Sequence, residues 1–375
     1  MTTSTQASQL KAIILKYYDL GELENCEQPH FGYVNESYII EIERKGKKKR
    51  YFIRKYRQEI KEEEIIFEHS VISHLIKTNF RLVASIIPTK DGKTYVKESE
   101  RGESVFYAIF DFLTGDDRYT WVNPTCSDGE LRAAATVLAQ FHDTVCDLEP
   151  KGKRYEARII DLLPEIAQTV EEYVQKAGKT VFDTYFLENI NFIQETIQGT
   201  QRILEKNEYK ELLQLVIHCD YHPGNLKFQN GEITGLFDFD WSKVDLRSFD
   251  VALAMTYFCV AWEGKEDGDV QLNKVAVFLD AYQNILRSTP GLEPIHDIEL
   301  ELLPYLIGAS NIYILHWTIR GFYDTEADSH EYLIYLQHNI RLMKWLANPN
   351  NRRQLKRRIQ SSQSNLKKSI LSPMV

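Results

Sequence analysis

His218, Asp220 and Asn225 stand at the spacing His-x-Asp-x-x-x-x-Asn, and Asp238-Phe239-Asp240 follows shortly after. An acid, an amide and a second acid in this order are the parts that phosphoryl transfer from a nucleotide requires. One carboxylate aligns an attacking hydroxyl and accepts its proton. The second carboxylate and the amide oxygen are hard donors of the kind Mg²⁺ prefers, and the ion keeps positions for water and phosphate. The pattern therefore predicts Asp220 as the catalytic acid–base group and Asn225 and Asp238 as metal ligands. Asp240 reads as a supporting group or helix cap, and His222, before Pro223-Gly224, as a turn residue or a substrate contact. A rival reading makes His218, Asp220 and His222 a zinc or two-metal hydrolase site, but it leaves Asn225 and Asp238 without a task.

These groups need a short, rigid connection. Residues 226–229 and 232–237 read as two strands joined by Asn230-Gly231, a strong hairpin signal. Pairing Gln229 with Glu232 brings Asn225 opposite Leu236, so Asn225 and Asp238 are expected to emerge together at the open end.

At these residues the chain resembles the aminoglycoside phosphotransferase and choline kinase-like superfamily, a two-lobed relative of protein kinases. The family pattern is His-x-Asp-x-x-x-x-Asn, then a hydrophobic residue, Asp and an aromatic residue, as in Phe237-Asp238-Phe239. Phe249-Asp250-Val251-Ala252 looks like the family's next segment, in which the acid braces the catalytic loop. The resemblance covers about residues 10–345, and type II homoserine kinases look nearest. It implies an α+β, protein kinase-like fold: a small antiparallel sheet with one key helix, then a larger, mostly helical lobe. The expected division is 1–112, a nucleotide-binding lobe; 113–350, a catalytic and substrate lobe; and 351–375, a basic tail read as solvated and frayed. His218 is implied as the residue that orients the catalytic loop.

The N-terminal third carries what the resemblance asks of a nucleotide lid. The pattern Gly-x-x-Asn-x-x-Tyr, in Gly32, Asn35 and Tyr38, stands in for a phosphate loop. In the strand Tyr51-Phe52-Ile53-Arg54-Lys55, the apolar-apolar-cation pattern puts the phosphate-binding cation at Arg54, whereas the conventional lysine would be Lys55. Strand alternation sends the two to opposite faces, so only one enters the cleft; Arg54 is preferred. Residues 59–77 read as an amphipathic helix whose Glu68 is expected to pair with that cation. Asp111-Phe112-Leu113 looks like the hinge, where main-chain groups at Asp111 and Leu113 would read adenine.

From about residue 128 the pattern is helical, with residues 156–207 an inserted hairpin and Leu302–Ile319 a buried core helix interrupted by Pro304. The 375 residues suffice for two lobes. The start lacks a basic or apolar targeting pattern, and five scattered cysteines argue against a disulfide framework, so a cytoplasmic protein is expected. Residues 114–350 hold 20 basic and 37 acidic side chains, against a chain total of −9. That surface disfavours nucleic acid and suits a cationic or zwitterionic small molecule, or simple solubility.

The expectation is an ATP- and Mg²⁺-dependent kinase acting on a hydroxyl of a small molecule, an amino acid or amino alcohol such as homoserine. A protein Ser/Thr kinase of the stress-response type and a catalytically idle nucleotide-binding scaffold remain as alternatives. Asp238-Phe239-Asp240 lacks the glycine of a Asp-Phe-Gly triplet, and no Ala-Pro-Glu segment follows. Oligomeric state is not legible.

Overall fold

The structure is a computed structural model that describes residues 4–28, 35–100, 102–120, 125–206, 209, 212–325 and 327–370. Gly32 lies outside them. The chain divides into two compact units: residues 1–115 with 149–154 and 234–240, and residues 116–148 with 155–233 and 241–375.

The first unit is built on an antiparallel sheet of β1 (Glu22–Glu27), β2 (Glu36–Arg44), β3 (Lys47–Lys55), β4 (Val96–Glu100) and β5 (Glu103–Asp111), in the order β1-β2-β3-β5-β4. Alternate residues of β2, Tyr38, Ile40 and Ile42, are buried, as a strand covered on one face requires. They form one core with Ile13 and Ile14 of helix α1 (Ser4–Tyr17) and with Tyr51, Ile53, Tyr107 and Ile109.

Helix α2 (Glu62–Lys77) begins where Glu64 accepts a hydrogen bond from the Lys61 N–H, at 3.2 Å, and three acids in its first turn complement the positive end of its dipole. Segment 149–154 lies on this helix. Gly152 has φ +79°, and a Cβ there would sit 2.2 Å from the Glu63 carbonyl oxygen, so only glycine fits.

The second unit is mainly helical: α3 (Asp128–Val145), α4 (Ile159–Lys176), α5 (Val181–Leu204), α6 (Arg247–Phe258), α7 (Leu272–Ser288), α8 (Asp297–Asp324), α9 (Ser329–Ala347) and α10 (Pro349–Ile370). Strands β6 (Gln214–Ile217) and β9 (Lys243–Leu246) pair antiparallel, Ile217 opposite Lys243. Strands β7 (Leu226–Gln229) and β8 (Glu232–Leu236) form the hairpin, with Asn230 and Gly231 at φ +53° and +83°. Both central residues with φ above zero match a tight primed turn, whose twist suits paired strands.

Helix α8 packs on α4, α6 and α9. It is long and apolar enough to cross a membrane, yet 78% of its most apolar window is buried in the protein, so it serves as a core helix.

The basic C-terminal segment differs from the frayed tail expected of it. Residues 349–370 are helical, and Leu355 and Ile359, one turn apart, are fully buried in a packing against α7, α8 and α9. The charges masked an i, i+4 apolar pair.

Candidate active site

In the second unit, strand β6 runs into the segment His218–Asn225. Cys219 takes φ +61°, the left-handed region that costs a non-glycine residue roughly 1 kcal/mol or more. That turn is held from below by one carboxylate. Asp250, fully buried near the start of α6, accepts the Cys219 N–H on Oδ1 (2.9 Å) and the His218 N–H on Oδ2 (2.9 Å). Its Oδ2 also faces His142 Nε2 at 3.0 Å, and His142 Nδ1 faces the Tyr282 hydroxyl at 2.7 Å. Burial would push the Asp250 carboxyl up, but the hydrogen bonds from His142 and the backbone hold it below the usual range. Burial lowers His142, so the ring is neutral: it donates Nε2–H to Asp250 and accepts from Tyr282.

The loop's front is ordered by Asn225. Its Nδ2 donates to the Asp220 carbonyl oxygen (2.9 Å) and to Asp220 Oδ2 (2.8 Å). The imidazole of His218 is fully buried, edge-on to Phe141 and Tyr221 at ring separations of 6.2 and 5.8 Å. The Tyr221 hydroxyl in turn donates to the Ala134 carbonyl at 2.8 Å, tying the loop to α3. Cys219 is buried with its thiol pushed far up by desolvation, which makes it a filler rather than a nucleophile.

In the first unit, three of the sequence-predicted groups come together. Arg54, 7% exposed, donates Nη1–H to Glu68 Oε1 (3.0 Å) and Nη2–H to Asp238 Oδ1 (2.7 Å). The Tyr56 hydroxyl donates to Glu68 Oε2 at 2.8 Å and stands 3.0 Å from His69 Nε2. Burial pushes Glu68 up to about 7 against the pull of Arg54, and pushes His69 down to about 3. Asp238 has φ +69°, a second non-glycine residue in the left-handed region. Beside it Asp240, 4% exposed, accepts from Asn35 Nδ2 (2.7 Å) and Arg57 Nη1 (3.1 Å); burial would push its carboxyl up, but the Arg54 and Arg57 guanidiniums and the Asn35 hydrogen bond keep it low. Asn35 Oδ1 accepts the Arg57 N–H at 3.0 Å.

Lys55 goes elsewhere. It lies 3.4 Å from both Glu36 and Glu100, on the face opposite Arg54. At the end of β5, Asp111 gives its N–H to the Ser85 carbonyl (2.9 Å) and its carboxylate to Lys49 (2.7 Å); Leu113 follows outside any strand.

In the sequence His142 and Tyr282 read as ordinary core positions. Nor does the sequence announce the buried cluster under β6, where Lys243 Nζ meets Glu156 (2.9 Å), Asp245 (3.3 Å) and the Ala157 carbonyl (2.8 Å). The available signal was a lysine two residues before an acid, Lys243 and Asp245, in a strand of four residues. Among the described residues no group of three His, Cys, Asp or Glu is placed to hold a metal, which leaves the zinc reading without a donor set.

The model of the phosphotransferase enzyme family matches residues 25–283. The chain belongs to this family. It is therefore a phosphotransferase, and its α+β architecture is the family's. A homoserine kinase of Methylocella silvestris is 25% identical over 79% of this chain and 80% of its own. A homoserine kinase of Agrobacterium fabrum is 24% identical over 83% of each. Among solved structures, an amicoumacin kinase in complex with AMP-PNP, Ca²⁺ and amicoumacin superposes at TM-score 0.65, with 15% identity over 91% of this chain and 94% of that one. An ethanolamine kinase of Plasmodium vivax superposes at 0.60, with 14% identity over 94% and 91%. These likenesses concern the fold.

Proposed function

We propose that this phosphotransferase is an ATP- and Mg²⁺-dependent kinase that phosphorylates a hydroxyl of a small amino acid or amino alcohol, with homoserine as the first candidate. The arrangement of Asp220 supports this reading above all: a partly exposed carboxylate, oriented by Asn225, on a loop that a buried acid clamps. Asp220 aligns the acceptor hydroxyl and takes its proton. Because Nδ2 of Asn225 is engaged by Asp220, its Oδ1 is the atom left for a cation, and Asn225 and Asp238 are each assigned to Mg²⁺ as hard-oxygen ligands of the kind that ion takes. Bound there, the ion would offset charge on the phosphates.

Arg54, held by Glu68, is assigned to the nucleotide phosphates and Lys55 is not. Asn35, with Gly32, is assigned to the phosphates on the sequence pattern alone. The main chain from Asp111 to Leu113 is assigned to the adenine, with the Asp111 N–H already committed to Ser85. His218 fixes the loop from inside rather than carrying a proton, since its ring is fully buried.

The homoserine kinases that match over about four-fifths of the chain favour homoserine. The excess of acids in residues 114–350 favours an acceptor with an ammonium group. The likeness to homoserine kinases argues for a small acceptor over a polypeptide and for a catalyst over an idle scaffold, and the enzyme is assigned to the cytoplasm. An ATP-turnover screen with homoserine, choline, ethanolamine, an aminoglycoside and a generic protein substrate tests it. Homoserine or an amino alcohol should give the highest kcat/KM; turnover only with the protein substrate would overturn the reading.

A further inference from the structure

His222 follows Asp220 by two residues and is 8% exposed, and a turn role accounts for only one of its two ring nitrogens. The Gly224 N–H donates to His222 Nδ1 at 3.0 Å. In the neutral ring the proton is therefore on Nε2. That nitrogen lies 3.7 Å from Asp220 Oδ1, on the side of the carboxylate opposite the oxygen that Asn225 holds. The separation exceeds a direct hydrogen bond, as contacts in catalytic sites often do before substrate tightens them.

The ring is braced from behind by an aromatic stack. His222 packs on Tyr257 at a centroid distance of 5.1 Å, and Tyr257 lies parallel to Trp262 at 5.9 Å and 4°. Trp262 stacks on His338 at 3.7 Å, and Trp262 Nε1 donates to the Tyr257 carbonyl at 3.1 Å. His338 Nδ1 meets Asp267 Oδ1 at 2.5 Å, and Arg341 pairs with the same carboxylate. Aromatic contacts of this kind stabilise beyond the area they bury. A surface-exposed turn histidine needs no such wall.

We propose that His222 is a positioning residue for Asp220: its Nε2–H restrains Oδ1 while Asn225 restrains Oδ2, so the carboxylate keeps one rotamer towards the acceptor hydroxyl. A carboxylate has lone pairs enough for both donors and the hydroxyl. The inference rests on the reading of Asp220 as the acid–base group, and it adds a residue to it.

Two substitutions separate positioning from turn-making. His222→Asn keeps an acceptor near Nδ1 for the Gly224 N–H and removes the distal N–H; His222→Gln places an N–H near Nε2 and gives up the turn acceptor. If His222 positions Asp220, the Asn variant loses at least about tenfold in kcat, with KM for ATP and acceptor within about twofold and an unchanged Tm. The Gln variant then recovers part of kcat despite a lower Tm. If His222 only makes the turn, the Asn variant is wild type in kcat and the Gln variant is the impaired one, which would overturn the proposal. Asp220→Asn, assayed alongside, distinguishes the two levels. An inactive Asp220→Asn with a fully active His222→Asn defeats the positioning role alone, whereas an active Asp220→Asn defeats both.

Discussion

Asp250→Asn asks whether the loop carrying Asp220 is held by the buried acid beneath it. The carboxylate accepts three hydrogen bonds, from the His218 N–H, the Cys219 N–H and His142 Nε2–H. An asparagine can present its oxygen to the His218 and His142 donors, but its NH₂ then faces the Cys219 N–H, donor against donor. One bond to a charged acceptor is lost, worth roughly 1.5–3 kcal/mol. The other two weaken by about half as the acceptor becomes neutral. The sum is about 3–6 kcal/mol, directed at a turn whose Cys219 already holds a left-handed φ of +61°.

The expected result is a Tm lower by several degrees and a kcat lower by about 10²-fold, from a shift of the loop on the order of 1 Å. ATP affinity should change far less, because Arg54 and Glu68 belong to the other unit. Thermal denaturation followed by near-UV dichroism, with steady-state kinetics, reads both. Asp250→Asn with wild-type Tm and kcat would refute the argument that a buried charge clamps the loop.

Two other consequences follow from the first unit. Arg54→Lys keeps the charge but cannot bridge Glu68 and Asp238 with two separate N–H arms, so nucleotide affinity by calorimetry should fall about tenfold or more; unchanged affinity would remove Arg54 from the phosphate site. His69 supplies a pH signature. Its folded pKa is depressed to about 3, while an unfolded histidine titrates near 6.5. The unfolded chain therefore binds the extra proton, and stability is lost as pH falls below about 6.5, by about 1.4 kcal/mol per unit for this one group. His69→Gln should flatten the acid slope of a denaturation series between about pH 6.5 and 4, and an unaltered slope would contradict the burial argument.

How much of this was legible before the fold was known depends on how local the physics is. Asn230-Gly231 announces its turn because two adjacent residues with φ above zero are needed there, and sequence carries that information directly. The opposite placement of Arg54 and Lys55 follows from a period of two along any strand. The spacing of His218, Asp220 and Asn225 likewise lies within one loop.

His142 and Tyr282 were not legible, because His142 reaches Asp250 from α3, 108 residues away in sequence, and Tyr282 meets His142 from α7, 140 residues away. No periodicity marks which histidine in an apolar helix face will meet a buried acid. Lys243 and Glu156 escaped for the same reason. In α10 the failure was different: local charge dominated the reading, whereas burial of Leu355 and Ile359 decided the structure.

The most direct test of the account is Asp220→Asn, measured for turnover and for nucleotide binding in the same preparation. The account predicts a kcat lower by about 10²–10⁴-fold with ATP affinity within about threefold of wild type. Turnover near the wild-type rate would contradict it, since the loop's geometry would then be ordering a carboxylate that the chemistry does not use.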